Sequence, residues 1–271
     1  VRLATKRLWV QFHAAGIADR LEQKSGVLEV LLKAVYRPVD GAIVMTDYNR
    51  CDPEALGIGR VEVIPHRLED ENPAGKLPDY SERPLRLLHA GHLYDLKGTP
   101  QLVEAFGCVA GKFPEWRLVL VGEFLPPYSE EQCRARCREL GIEGRVEILG
   151  VLRGEDKVVQ FGRSHLFVFA SVAPYESFGL VMAEAMMWGL PMVVSNWRGN
   201  RDVSGTGAEY FDVQTMMSEN LALALKELLP ACDELRKMAE CSRQRYVSNY
   251  RQERNEHPEF VARLIGAPHK A

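Results

Sequence analysis

The sequence predicts an α/β protein built on parallel sheets, with one complete doubly wound domain and part of a second. Two patterns carry this expectation. Short runs rich in Val, Ile, Leu and Phe alternate with amphipathic stretches of about ten residues, the arrangement of βαβ units. Glycines punctuate the runs, notably Gly91, Gly98, Gly179 and Gly189, at places where a strand must turn into a helix or a helix must stop.

Taken in order, the expected strands are 7–13, 42–46, 61–64, 85–90, 117–121, 146–149, 165–170, 192–195 and 209–211. Expected helices cover 27–36, 49–56, 100–113, 129–140, 155–162, 178–188, 218–229, 233–250 and 252–265. In the helix after the fourth strand, Leu102, Val103, Ala105, Phe106, Val109 and Ala110 share one face, the stripe that packs on a sheet. Gly189-Leu190-Pro191 ends the run 178–188 before the apolar Met192-Val193-Val194. From Leu85 to about Phe211 there are six strands, enough for a complete doubly wound domain. Residues 1–66 offer three strands and two helices, which reads as a partial domain. Between them, 67–84 is rich in Glu, Asp, Pro, Asn, Gly and Lys without an apolar period, and reads as an exposed linker. The expected division is therefore 1–66, a linker 67–84, a main domain 85–250, and a last helical stretch 251–271.

Composition narrows the function. A chain of 271 residues can bury a sizeable core, and 34 basic against 37 acidic side chains give a net charge of −3. That balance gives no case for a nucleic-acid partner. No apolar run approaches the ~18 residues of a membrane-spanning helix, and no signal-peptide pattern opens the chain. A cytoplasmic setting is expected, with peripheral membrane association left open. The six cysteines are irregularly spaced, which favours free thiols over a disulfide framework. Cys133 and Cys137 share a helical face but lack the further Cys or His partners of a metal site.

Two stretches carry chemistry. In the first, the apolar strand ending at Ala170 feeds a loop with Glu176, and Ser177 and Gly179 open a helix carrying Glu184, eight residues after Glu176. The free N–H groups at such a helix start, here those of Phe178, Gly179 and Leu180, suit a diphosphate. Glu184 lies about 7–8 Å further along the helix axis at ~1.5 Å per residue. Two carboxylates thus bracket a phosphate position and accept hydrogen bonds from hydroxyls on either side, the layout of a nucleotide sugar. In the second stretch, Leu85 to Ala90 is followed by Gly91, His92, Lys97 and Gly98 ahead of an amphipathic helix. Lys97 is a point charge suited to phosphate. Ligands of such sheets bind beyond the carboxyl ends of the strands, where both stretches fall.

The pattern Glu176-x-Phe178-Gly179-x-x-x-x-Glu184, followed by Ala185-Met186 and Gly189-Leu190-Pro191, resembles the signature of the retaining glycosyltransferases of family 4. That resemblance implies the GT-B fold of two facing Rossmann-like domains. It implies that Glu176 contacts the donor sugar, that Glu184 holds the ribose hydroxyls, and that the amides of Phe178, Gly179 and Leu180 meet the phosphates. The Gly91 to Gly98 stretch is similar to the family's Gly-Arg-Leu-x-x-x-Lys-Gly element, in which arginine and lysine meet the diphosphate. Lys97 matches, whereas His92 stands where the arginine is expected and offers one hydrogen bond in place of a charged fork. Val10-Gln11-Phe12-His13 resembles the strand that ends in the family's active-site histidine, so His13 and Glu176 are the expected catalytic residues. Val61 to Pro65 resembles the last strand before the interdomain linker, but His66-Arg67 replaces the usual Asn-Gly.

From the same resemblance, the expected reaction moves a sugar from a nucleotide-sugar donor to the hydroxyl of a carbohydrate or lipid-linked acceptor, with retention of configuration and without metal or other cofactor. It also implies that the first strands of the acceptor-side domain are missing and that the last helix crosses back to that domain. Asp202 reads first as a loop or cap residue. Two other readings stay open: another GT-B enzyme, such as a sugar-nucleotide epimerase or a phosphorylase, and a donor-binding module with little turnover.

Overall fold

The computed structural model describes residues 7–23 and 26–252. They form two compact units. One takes the described residues up to Asp70, the segment Pro174–Phe178, and those from Asn249 onward; the other takes Glu71–Ala173 and Gly179–Ser248. The last expected helix, 252–265, falls almost wholly outside the described residues.

In the first unit the order is β1 (Trp9–Gln11), α1 (Ile17–Gln23), α2 (Val27–Tyr36), β2 (Gly41–Val44), α3 (Cys51–Ala55) and β3 (Val61–Val63). The strands pair in parallel in the order β1-β2-β3, with Val10 opposite Ala42 and Ala42 opposite Val61. Their core is small, built on Leu21, Ala42, Leu56 and Ile58 with Val10, Phe12, Leu32 and Tyr36 packed around it. Helix α2 meets this core through Leu32 and Tyr36, while Val27, Val30, Leu31 and Val35 remain exposed.

The second unit contains β4 (Leu85–Ala90), α4 (Thr99–Ala110), β5 (Trp116–Val121), α5 (Glu130–Glu139), β6 (Val146–Ile148), α6 (Gly154–Gly162), β7 (Leu166–Phe169), α7 (Leu180–Met187), β8 (Met192–Ser195), α8 (Asn200–Ser204), β9 (Ala208–Phe211), α9 (Met217–Leu228) and α10 (Cys232–Asn249). Its six-stranded sheet runs β6-β5-β4-β7-β8-β9, every pair parallel. The chain therefore winds outward from β4 in one direction and from β7 in the other. The carboxyl ends of these two neighbours form the topological switch point at which doubly wound sheets bind ligands. Leu87, Leu88, Leu118, Leu120, Phe167, Val168, Val193 and Val194 are fully buried, as strands covered on both faces require.

All nine expected strands form, two of them with the expected bounds, β4 and β8. Three expectations change. Helices α1 and α8 are additional to those the sequence predicts, because segments of seven and five residues carry too little periodicity to be read. Residues 71–84 belong to the second unit and are mostly exposed, as expected, but Asn72 and Tyr80 are buried, the Tyr80 hydroxyl donating to the His165 carbonyl at 2.9 Å. Helix α7 starts at Leu180, two residues later than 178–188 implies. Gly179 takes the left-handed conformation at φ 68° and sets the helix entry there.

Candidate functional site

In the second unit the loops after β4 and β7 are laid against each other by backbone contacts that only glycine allows. Gly98, at φ 70°, ends the turn Asp95–Lys97; a Cβ there would stand 2.3 Å from the Ala170 carbonyl oxygen. The Val172 N–H donates to the Leu96 carbonyl at 2.8 Å, closing the same seam. One ring organises what lies beyond it. The ammonium of Lys97 stands 5.8 Å from the centre of the Phe169 ring, within reach of a cation–π attraction. A Cβ on Gly179 would meet Phe169 Cζ at 2.9 Å. The last residue of β7 therefore places the lysine and the entry to α7 on the same aromatic side chain.

The entry to α7 carries no side-chain cap. The first amides of a helix lack intrahelical partners; with Gly179 as the cap and the Met182 N–H already donating to the Gly179 carbonyl at 2.8 Å, these are the N–H groups of Leu180 and Val181. Positive helix dipole, free amides and an ammonium together favour an anion. His92, exposed between the turn glycine Gly91 and the buried Leu93, belongs to the same loop as Lys97. One and a half turns into α7, Glu184 is the helix's only charged side chain, and both its oxygens accept from the Lys157 ammonium at 2.7 Å. Lys157 had no signal in the sequence, since it lies 27 positions away on α6.

Beneath the lysine, His89 is buried at the end of β4. Its Nδ1 is 3.0 Å from the Val168 carbonyl and its Nε2 is 3.2 Å from Thr99 Oγ1. A carbonyl only accepts, so Nδ1 carries the hydrogen and Nε2 accepts from the threonine. Burial, and to a lesser degree the Lys97 charge, pushes this imidazole down to about 4 from an ordinary 6.5, against the opposing effect of the Val168 hydrogen bond. The unfolded chain thus takes up a proton on this residue at a higher pH than the folded chain does. The fold keeps its full advantage above pH 6.5 and loses it as pH falls towards 4, by up to roughly 3 kcal/mol. Urea denaturation of the protein and of His89→Gln across pH 4 to 7.5 is expected to show a steeper loss for the parent; parallel curves would mean that His89 does not titrate this way.

The first unit gathers a second group of side chains. His13, exposed, follows β1. The loop after it is held on one side by Asp52, whose carboxylate accepts from Gly16 N at 3.0 Å and Ala18 N at 2.8 Å and so caps α1. On the other side lies the segment Pro174–Phe178: Ala15 N donates to the Tyr175 carbonyl at 3.2 Å, and the Ser177 hydroxyl donates to the His13 carbonyl at 2.7 Å. Glu176 is thereby carried on a segment tied directly to His13. Phe178, buried, is packed edge-on to His66 and to Tyr250, each with centroids 5.3 Å apart. The His66 ring lies 5.8 Å from that of His13, and burial followed by the neighbouring imidazole lowers its proton affinity. The sequence marks His66 only as a departure from a familiar pattern; the fold makes it the neighbour of His13.

Among the sequence-derived candidates, then, His13, Glu176 and Phe178 lie in the first unit, and His92, Lys97, Gly179, Leu180 and Glu184 in the second. No group of three or more His, Cys, Asp or Glu among the described residues is placed to hold a metal ion. No helix of the described residues is long and apolar enough to cross a membrane.

Known proteins share this architecture. The pneumococcal O-GlcNAc transferase GtfA, solved with UDP and GlcNAc, superposes with a TM-score of 0.75 at 18% identity over 97% of this chain and 53% of its own. Anabaena HepE, solved with UDP, gives 0.76 at 18% identity over 97% of this chain and 72% of its own. The fold is the GT-B type, with two Rossmann-like parallel sheets. Residues 78–245 match the family model of glycosyl transferases group 1. The chain belongs to that family. The lipopolysaccharide 1,6-galactosyltransferase of Salmonella typhimurium is 30% identical over 131 residues, 48% of this chain and 35% of that protein. The phosphatidyl-myo-inositol mannosyltransferase of Mycobacterium leprae is 29% identical over 208 residues, 75% of this chain and 53% of that protein. This chain thus spans about a third to a half of the length of these two curated relatives.

Proposed function

We propose that the chain carries the donor-handling machinery of a retaining family 4 glycosyltransferase, which moves a sugar from a nucleotide-sugar donor to an acceptor hydroxyl. The observation that carries the reading is the pinning of Lys97 and the start of α7 to Phe169 at the switch point of the sheet. Breaking a sugar–phosphate bond builds negative charge on the departing diphosphate, and donors already in place there lower the barrier. Lys97 and the amides of the Gly179–Leu180 turn take that role, with His92 as a further donor. Their positive charge does the work that a metal ion does in other transferases, so the proposed reaction needs no metal and no other cofactor. Glu184 accepts from the ribose hydroxyls. His13 and Glu176, held on tied segments, are assigned to the transferred sugar, with His13 positioning it. The names of the relatives include transfer to lipopolysaccharide and to phosphatidyl-myo-inositol, which supports a carbohydrate or lipid-linked acceptor, used on the cytoplasmic side of a membrane.

A thermal-shift panel of UDP-, GDP- and ADP-sugars tests the donor, because a ligand bound only by the native state raises the midpoint with occupancy. One nucleotide series is expected to shift the protein, and Glu184→Ala to lose most of the shift through about a tenfold or greater weakening. A Glu184→Ala protein that responds like the parent would remove that residue from the ribose role. With the active donor, proton NMR of the product is expected to show the donor's anomeric configuration, undiminished by chelator; an isomerised nucleotide sugar without acceptor would instead identify an epimerase.

A further inference from the structure

Asp52 caps a helix to which it does not belong. Helix α1 has seven residues and a single buried side chain, Leu21, so a cap on it adds little to the core. Asp52 is nevertheless only 1% exposed, and burying a carboxylate is costly unless its hydrogen bonds are made. It sits in α3, whose end is anchored by Leu56 and Ile58 in the core of the first unit.

The loop from His13 to Gly16 explains the arrangement. Ala14, Ala15 and Gly16 carry no side-chain oxygen that could cap α1 from within the loop, and no side chain large enough to anchor it. The loop is therefore placed by its backbone. The His13 carbonyl accepts from the Ser177 hydroxyl and the Ala15 N–H donates to the Tyr175 carbonyl, while the Gly16 and Ala18 N–H groups converge on Asp52, at 3.0 and 2.8 Å. Asp52 is the fastening at the α1 end. Gly16, its nearer partner, follows the exposed His13 by three residues.

We propose that Asp52 is a positioning residue for His13: by holding the amides of Gly16 and Ala18 it fixes the loop on which the imidazole meets the transferred sugar. The inference rests on the sugar role given to His13 above. Without the carboxylate, two amides at the end of the loop lose their acceptor, and the loop keeps only its ties to Tyr175 and Ser177. A displacement of about 1 Å is enough to lose a positioned contact.

The test separates sugar from nucleotide. Calorimetry compares UDP-glucose with UDP, GDP-mannose with GDP and ADP-glucose with ADP, and the pair that binds most tightly gives the ratio of sugar-nucleotide to nucleotide affinity. His13→Ala is expected to lower that ratio about three- to tenfold, as for one lost hydrogen bond, and to leave the plain nucleotide within about twofold of the parent. Asp52→Ala should lower the ratio to the same degree. Added to His13→Ala it should lower the ratio no further, since the two act as one unit. Asp52→Asn, which keeps one acceptor oxygen, should fall between parent and alanine variant, and it carries the test should the alanine protein fold poorly. Leu21→Val loosens α1 from the core without touching these hydrogen bonds, and its ratio should stay that of the parent. A parent-like ratio in the Asp52 variants, an additive double variant, or an equal fall in Leu21→Val would overturn the role of Asp52. A ratio unmoved by His13→Ala, or binding of no sugar nucleotide, would overturn the sugar assignment itself, and this inference with it.

Discussion

Replacing Lys97 by alanine is expected to weaken binding of the cognate nucleoside diphosphate about 10- to 100-fold while leaving binding of the bare nucleoside unchanged. The expectation comes from the placement of the ammonium, which shares the Phe169 ring with the entry to α7. Lost hydrogen bonds to a charged group cost about 1.5–3 kcal/mol, which converts to that range. The nucleoside lacks the diphosphate, so it should not sense the change. Lys97→Arg keeps the charge and should retain most of the affinity, with a smaller loss because a planar fork replaces a compact point charge. Calorimetry with both ligands decides the matter. Equal losses for diphosphate and nucleoside would show that Lys97 acts through the fold and not on phosphate.

The largest effect on stability is expected from Gly122→Ala. Gly122 follows β5 at φ 146°, and a Cβ there would stand 1.6 Å from the Gly91 carbonyl oxygen. Gly91 N in turn donates to the Val121 carbonyl, and Gly122 N to the Gly150 carbonyl, so the ends of β4, β5 and the loop after β6 meet at this point. Neither partner is a flexible side-chain tip that can swing away. A backbone conformation hostile to L-residues adds roughly 1–2 kcal/mol to an overpacking cost of about 1–3 kcal/mol, so a loss of about 2–5 kcal/mol is expected. Gly111 and Gly144, where an added Cβ meets nothing within 4 Å, serve as controls, and their alanine variants should unfold near the parent midpoint. Urea denaturation of the three variants checks the contrast. A Gly122→Ala protein as stable as the controls would mean that the strand ends do not approach as described.

What the sequence disclosed follows the range of the forces involved. Strands β4 and β8 are legible to the residue because each is a mainly apolar run that starts directly after a proline, Pro84 and Pro191. Helix α2 is legible because its flanks, Gly26 and Pro38, stop it on both sides. Lys97 is also local information: a turn glycine on each side and an apolar strand before it are enough to place a charge at a strand end. The entry to α7 is not. Gly179, left-handed, is the N-cap and the helix begins at Leu180, so the apolar run alone starts the helix two residues early.

The pairing of Lys157 with Glu184, the closeness of His66 to His13, and the capping of α1 by Asp52 are long-range in the same way. No periodicity reports which distant side chain a fold will bring to a carboxylate. The same reason explains the segment Pro174–Phe178, which a linear reading keeps with the main domain but which the fold ties to the loop after His13. Burial of Tyr80 in a polar, proline-rich stretch depends on a carbonyl acceptor, that of His165, which local composition does not announce.

The central claim is that a diphosphate is held where β4 and β7 end, between Lys97 and the first amides of α7. A crystal structure of this chain with the nucleoside diphosphate that gives the largest thermal shift tests it most directly. Density for both phosphates is predicted against the Lys97 ammonium and the Leu180 amide, with the ribose at Glu184. A well-occupied nucleotide bound elsewhere on the protein, with this junction empty, would contradict the account.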